Sequence, residues 1–343
     1  MVRSARLQGI AFVLAAVVLW STVPVGTRLL VQSGGAFSAE FLSAARLAMA
    51  ALVFFGIRFL YAGPAGRRFR YHRRQIPWLL VAGVGLFLNY WLYTTGLRYT
   101  SASATSVISQ LHTIATVLLA AVLLNERLSL GKGVGMAVTM AGVVLVMTRG
   151  VFLQDFTASE RMFGNLLQVG AALAWPLYAV GQAKAQQEDR GQEVLTPIFA
   201  VAALLMLLTL PFTGAGLQQP PVMRDWGVLL FLGLGSTAAA YWLYALAMLR
   251  IETSEAAIFS VLSVPMAIGI SVMTLGERVT INAAIGVALV MLGLVLVVWQ
   301  RLPGGLRRRR TVPAPASTNV ADRHERDTAP SYHPRQAPAL HKR

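Results

Sequence analysis

The chain has 343 residues, 56% of them hydrophobic and only 13% charged, with a mean hydropathy of +0.60 and a formal net charge of +16. So apolar a composition excludes an ordinary soluble domain. The absence of cysteine excludes disulfides, iron–sulfur clusters and thiolate metal sites.

Taken in chain order, apolar runs long enough to cross a bilayer predict ten transmembrane helices, over about 8–30, 36–60, 76–97, 101–123, 131–148, 163–183, 194–215, 226–248, 252–274 and 280–300. The expected fold is therefore an all-α integral membrane protein. Arg3 and Arg6 ahead of the first run imitate a signal peptide, but the internal repeat described below argues that this run is retained. Arg67, Arg68, Arg70, Arg73 and Arg74 crowd the loop between the second and third spans, and Arg307 to Arg310 follow the last. Such clusters beside spans fix topology and contact anionic lipid headgroups, and are not read as a nucleic-acid surface. The loop charges place both chain ends in the cytoplasm, as an even number of spans requires, and the inner (plasma) membrane is the expected location. Beyond Pro303 the composition turns to Pro, Arg, Ala, Ser and Thr, which predicts a disordered, basic cytoplasmic tail over 303–343.

The sequence repeats itself. Gly9, Trp20 and Gly26 recur with the same spacing as Gly164, Trp175 and Gly181. Glu126-Arg127 is followed by Gly135 and Gly142 at the intervals that separate Glu277-Arg278 from Gly286 and Gly293. The stretch from Leu97 to Thr113 aligns with that from Leu249 to Pro265. Residues 1–150 and 151–302 thus read as two copies of a five-helix unit. Because five is odd, the second copy enters the membrane from the opposite side, giving the inverted repeats found in secondary transporters.

The endings "LLNERLSLGKGVGMAVTMAGVVLV" and "TLGERVTINAAIGVALVMLGLVLV", with the openings "AVVLWSTVPVG" and "AALAWPLYAVG", resemble the EamA-type branch of the drug/metabolite transporter superfamily over roughly residues 8–300. The resemblance implies ten helices with cytoplasmic ends, a central cavity, and export or exchange of amino acids, metabolites or drugs. Two departures stand out: Asn125 occupies the glycine position of the first Gly-Glu-Arg, and Thr113, preceded by His112, stands where the second copy has Pro265. There is then no ground for expecting the two fourth helices to bend alike.

Polar side chains inside spans are costly and belong in a bundle interior. Arg46, near the middle of the second span, is a candidate for a substrate carboxylate through its planar, permanently charged fork, or for a structural partner. His112, near the middle of the fourth, is the proton-coupling candidate, with a neutral, hydrogen-bonded histidine as the alternative. The fourth span carries Ser106 and Gln110 on a polar stripe, with Ser263 ahead of Pro265 as a weaker counterpart in the ninth. Trp20, Asn89, Tyr93, Trp175, Tyr178, Gln182, Tyr241 and Tyr244 are expected to wall an amphipathic cavity. Glu126, Arg127, Glu277 and Arg278, just past helix ends, read as turn-fixing ion pairs with gating as a secondary role.

No P-loop, zinc-binding His-Glu-x-x-His or Gly-x-Ser-x-Gly elbow occurs, and no cofactor is called for. The expected function is a secondary transporter that moves a small organic metabolite, an amino acid or related compound, outward by alternating access. A membrane channel and a membrane-embedded enzyme acting on lipid are the alternatives. Nothing in the sequence sets an oligomeric state.

Overall fold

The computed structural model describes residues 2–31, 35–61, 71–96, 99, 108–126, 128–148, 159–188, 194–275 and 281–299. The basic tail, the Arg67–Arg70 part of the basic loop, Ser106, Arg127, Glu277 and Arg278 lie outside them. Arg73 and Arg74 sit exposed in a turn.

Runs of Leu, Val, Ala and Ile cannot leave backbone groups unpaired in hydrocarbon, and a helix satisfies them within a single segment. The described chain is accordingly helical. Its helices are α1 (Val2–Ser21), α2 (Val23–Val31), α3 (Ala39–Tyr61), α4 (Ile76–Gly96), α5 (Leu111–Leu123), α6 (Leu130–Thr148) and α7 (Ser159–Glu188). They continue with α8 (Leu195–Thr213), α9 (Met223–Leu230), a π-helical stretch (Phe231–Ala239), α10 (Ala240–Met248), α11 (Thr253–Ser260), α12 (Ser263–Leu275) and α13 (Ile281–Trp299). Among the described residues six helical stretches are long and apolar enough to cross a membrane: Ala5–Val31, Ala39–Leu60, Ile76–Gly96, Met162–Glu188, Leu195–Thr213 and Met223–Met248.

Interruptions have local causes. Between α1 and α2 the Ser21 and Thr22 hydroxyls fold back onto the carbonyls of Val17 and Leu19, at 2.5 and 2.6 Å, and Pro24 has no amide to continue the ladder. The expected fourth and ninth spans are both interrupted. A turn at Gln110 precedes α5, and Val261 and Leu262 separate α11 from α12. These breaks fall at aligned positions although only the second copy has a proline, which the sequence comparison did not anticipate.

The helices pack in a pattern that maps onto itself when each element is exchanged with its sequence counterpart. Helix α4 lies along α7 as α10 lies along α1, and α4 meets α8 as the π stretch meets α3. Counterparts also pair directly: α3 with α8, and α6 with α13. The α6–α13 pair explains the repeated glycines. A Cβ added at Gly142 would stand 2.6 Å from the Gly286 carbonyl oxygen, and one added at Gly293 would stand 2.6 Å from that of Gly135. Rising number on one helix meets falling number on the other, so the two run antiparallel. Small residues let backbones approach closely where van der Waals packing, not hydrophobic exclusion, holds helices together.

Filling that contact forces two backbones apart. Gly142→Ala and Gly293→Ala are each expected to destabilise the protein by about 1–3 kcal/mol, seen as a lower melting temperature in detergent. Gly56→Ala, whose added Cβ meets nothing within 4 Å, serves as the neutral control.

Candidate functional site

Arg46 projects from the N-terminal half of α3 and is only 7% exposed. Its Nε donates to the Thr237 hydroxyl at 3.1 Å, and its guanidinium lies 5.6 Å from the centroid of the Tyr90 ring. Thr237 in turn donates to the Leu232 carbonyl at 2.8 Å. That bond spans the wide turn of the π stretch, so the irregular helix fixes the hydroxyl that orients the arginine. Among the described residues no carboxylate pairs with Arg46. A buried guanidinium held only by one hydroxyl and one ring face keeps most of its donors for another acceptor.

Tyr90 connects this cation to an aromatic cluster, its hydroxyl 3.4 Å from that of Tyr241. Trp20 of α1 stands at the centre, with ring centroids 5.7 Å from Trp175, 5.4 Å from Tyr241 and 5.2 Å from Tyr244. Trp175 also meets Tyr178 at 5.2 Å, and Phe199 meets Tyr241 edge-on at 5.1 Å. Helices α1, α7 and α10 therefore bring together Trp20, Trp175, Tyr178, Tyr241 and Tyr244, all expected from sequence. Each such ring pair contributes about 0.5–1.5 kcal/mol beyond its burial.

The cluster is not chemically complete. Tyr178, Gln182 and Tyr244 are fully buried, yet among the described residues the two tyrosine hydroxyls and both polar atoms of the Gln182 amide have no hydrogen-bond partner. The Trp175 indole N–H is in the same position. Each unmet buried group costs about 1–3 kcal/mol, a cost that folding alone gives no reason to accept.

Other expected site residues fall at the margins. His112 reaches the cluster, its ring 5.7 Å from Trp175. Its Nδ1–H donates to the Ser109 carbonyl at 2.5 Å, and the Thr113 hydroxyl approaches Nε2 at 3.4 Å. Gln110 is buried in the turn before α5, and its side-chain amide oxygen has no hydrogen-bond partner among the described residues. Asn89 donates to the Ala171 carbonyl at 2.9 Å, stitching α4 to α7. Tyr93 keeps 39% of its surface exposed but lies within electrostatic range of Arg46. Ser263 and Pro265, both half-buried, open α12.

Glu126, whose sequence neighbour Arg127 lies outside the described residues, reaches a distant helix. Asn125 adopts a left-handed backbone (φ 55°), a conformation that asparagine and glycine tolerate best, which accounts for its standing in a glycine position. This turn carries the Glu126 carboxylate to the start of α11, where it accepts from the Thr253 and Ser254 amides at 2.7 and 3.0 Å and from the Ser254 hydroxyl. An anion here meets the positive end of the helix dipole. Lys132 beside it pairs with Glu252 and donates to the Ser254 hydroxyl at 2.7 Å, while Arg6 of α1 pairs with the buried Glu255 at 2.5 Å. Charged contacts thus tie sequence-distant segments together around α11. The Tyr244 hydroxyl of the aromatic cluster lies within electrostatic range of the Glu126 carboxylate.

Sequence reasoning missed Tyr90, Thr237, Lys132 and Glu252. Tyr90 sits one position from Asn89, a rotation of about 100° on a helix, and its spacing of three from Phe87 and Tyr93 was the available signal.

The sequence profile described as the EamA-like transporter family matches residues 7–148 and 162–299. An uncharacterised transporter from Clostridium kluyveri is 22% identical over 293 residues, covering 84% of this chain and 92% of that protein. A probable terminal-alkyne amino-acid exporter from Streptantibioticus cattleyicolor is 27% identical, over 74% of this chain and 82% of its own. A solved crystal structure superposes with a TM-score of 0.72 at 21% identity, covering 87% of this chain and 97% of that one, so the fold is shared. Two matched segments that together span nearly all of the helical region leave one conclusion: the chain belongs to the EamA-like transporter family.

Proposed function

We propose that this membrane protein exports a small organic acid, an amino acid or a close relative, by alternating access around the Arg46–aromatic cluster. The observation that carries the reading is a buried guanidinium without a described carboxylate partner, joined through Tyr90 to a cluster whose own polar atoms are unmet. In this reading the carboxylate of the substrate pairs with Arg46, its apolar body lies against Trp20, Trp175 and Tyr241, and its remaining polar groups meet Gln182, Tyr178 and Tyr244. The exporter relative named for an amino-acid substrate supports the substrate class.

The ten-helix, inverted-repeat organisation belongs to the same proposal. It is supported by the two segments matched by the family profile, the self-mapping helix pairs and the antiparallel glycine contact. With both chain ends in the cytoplasm, as the loop charges favour, the Glu126, Lys132 and Arg6 contacts lie on the cytoplasmic side. They then act as the closure that must open for substrate to enter.

Two measurements test this. In proteoliposomes, Arg46→Ala is expected to lower saturable counterflow of amino acids by about 10- to 100-fold, the size of one or two hydrogen bonds to a charged group, and to remove the preference for an amino acid over its decarboxylated amine. Trp175→Ala is expected to impair both substrates alike. Wild-type counterflow in both variants, or passive non-saturating flux in the parent, overturns the reading. For the closure, Glu126→Gln in a chain carrying Ala257→Cys as its sole cysteine is expected to raise cytoplasmic-side maleimide labelling about tenfold, since a carboxylate cap contributes roughly 1–2 kcal/mol. Unchanged labelling, with normal insertion, would remove Glu126 from the closure.

A further inference from the structure

The two interrupted helices solve one backbone problem by different means. In an unbroken helix the carbonyl of residue 109 would accept the amide of residue 113, and that of residue 261 the amide of residue 265. At the second site Pro265 has no amide. The Val261 carbonyl instead accepts the Val264 amide at 3.0 Å, in a tight turn that Leu262 reinforces by donating to Phe259 at 3.1 Å. At the first site residue 113 is a threonine with an amide to give, yet that amide donates to the Gln110 carbonyl at 3.1 Å. The Ser109 carbonyl accepts the His112 Nδ1–H at 2.5 Å. By the alignment of Leu97–Thr113 with Leu249–Pro265, His112 is the counterpart of Val264 and Ser109 that of Val261. A side-chain N–H therefore does at one break what a main-chain N–H does at the other.

We infer that His112 is a positioning residue that stands in for the missing proline, holding the helix interrupted at Gln110 by occupying the Ser109 carbonyl. The consequence reaches the cluster. The break sets the His112 ring edge-on to Trp175, and in the same turn the buried Gln110 amide oxygen has no partner among the described residues. Without the imidazole donor, the Thr113 amide is the natural partner for Ser109, and the turn relaxes toward a continuous helix that rotates Gln110 and residue 112 away from their present directions. Nδ1 donates to the carbonyl whether or not Nε2 carries a proton, so this positioning role needs no titration, and on this inference His112 is not the proton carrier that its place in the span first suggests.

The functional arm of this inference rests on the transport reading above, and a second readout does not. Full-length chains carrying His112→Ala, His112→Asn, and His112→Ala with Thr113→Pro are compared in proteoliposomes by amino-acid counterflow and by hydrogen–deuterium exchange of amides 110–114. The asparagine amide N–H can reach the same carbonyl without titrating, and the proline rebuilds the arrangement of the second copy. His112→Ala is expected to exchange more slowly across the straightened turn and to transport about tenfold less, the worth of one buried hydrogen bond. His112→Asn and the double variant are expected to stay within about twofold of the parent in transport, with parental exchange and, for His112→Asn, a parental pH profile. Parental exchange in His112→Ala, failure of Thr113→Pro to restore what His112→Ala loses, or a shifted pH profile in His112→Asn overturns the inference. If His112→Ala does not insert, the other two variants decide it, since both must behave as the parent. If the parent itself shows no counterflow, the transport reading falls while the exchange pattern still decides the role of His112.

Discussion

Arg46 carries a permanent charge into the middle of an apolar bundle, and much of the interior is arranged around that fact. An arginine cannot escape the cost by deprotonating, so its surroundings must supply oriented dipoles and ring faces. Thr237 supplies one, and its hydroxyl is aimed by the bond it makes across the π-helical turn to Leu232. Tyr90 supplies the other and passes the contact on to Tyr241, hence to Trp20 and Trp175. A regular α-helix over Phe231–Ala239 would shift Thr237 by a fraction of a turn and leave the guanidinium with a ring face alone. Helical irregularity at this point is therefore a device of the site and not a flaw in the bundle.

The packing around this centre reuses each solution twice. Gly142 and Gly293 make the same close approach in opposite chain directions, and Gly96 meets the Gly164 carbonyl where Gly9 meets the start of the Arg250 turn. The exceptions are as informative as the agreements. His112 and Pro265 keep the two interrupted helices alike in shape with unlike chemistry, which places a polar ring against Trp175. Two similar halves that are not identical give a bundle two nearly equivalent arrangements, together with a site whose two walls differ, which suits the alternating access proposed here.

Legibility from sequence followed the range of the forces involved. Apolar run length located the described helices to within several residues but not their interruptions, because hydrocarbon leaves a lone segment no other way to pair its backbone. The face holding Trp175, Tyr178 and Gln182 was readable because all three lie on one unbroken helix, where spacing fixes direction. Tyr90 was missed through a rotation of one residue on α4, while Asn89, singled out from sequence, donates to the Ala171 carbonyl of α7. Glu126 was marked as a turn-fixing residue, but its partners lie more than a hundred residues further along the chain at the start of α11, where no local spacing points.

The sequence by itself determined that the chain is built of apolar helices, that its two parts echo one another, and that Arg46, His112 and a set of aromatic residues are its unusual interior members. These are properties of composition and period, which act within a segment. Only the tertiary structure decided that Arg46 is held by Thr237 and Tyr90, that Glu126 caps α11, and that His112 binds the Ser109 carbonyl beside Trp175. Those contacts depend on how helices rotate and where they break. Helix rotation is set by close packing between segments and breaks by the competition for single carbonyls, neither of which is written in the spacing of residues along one helix.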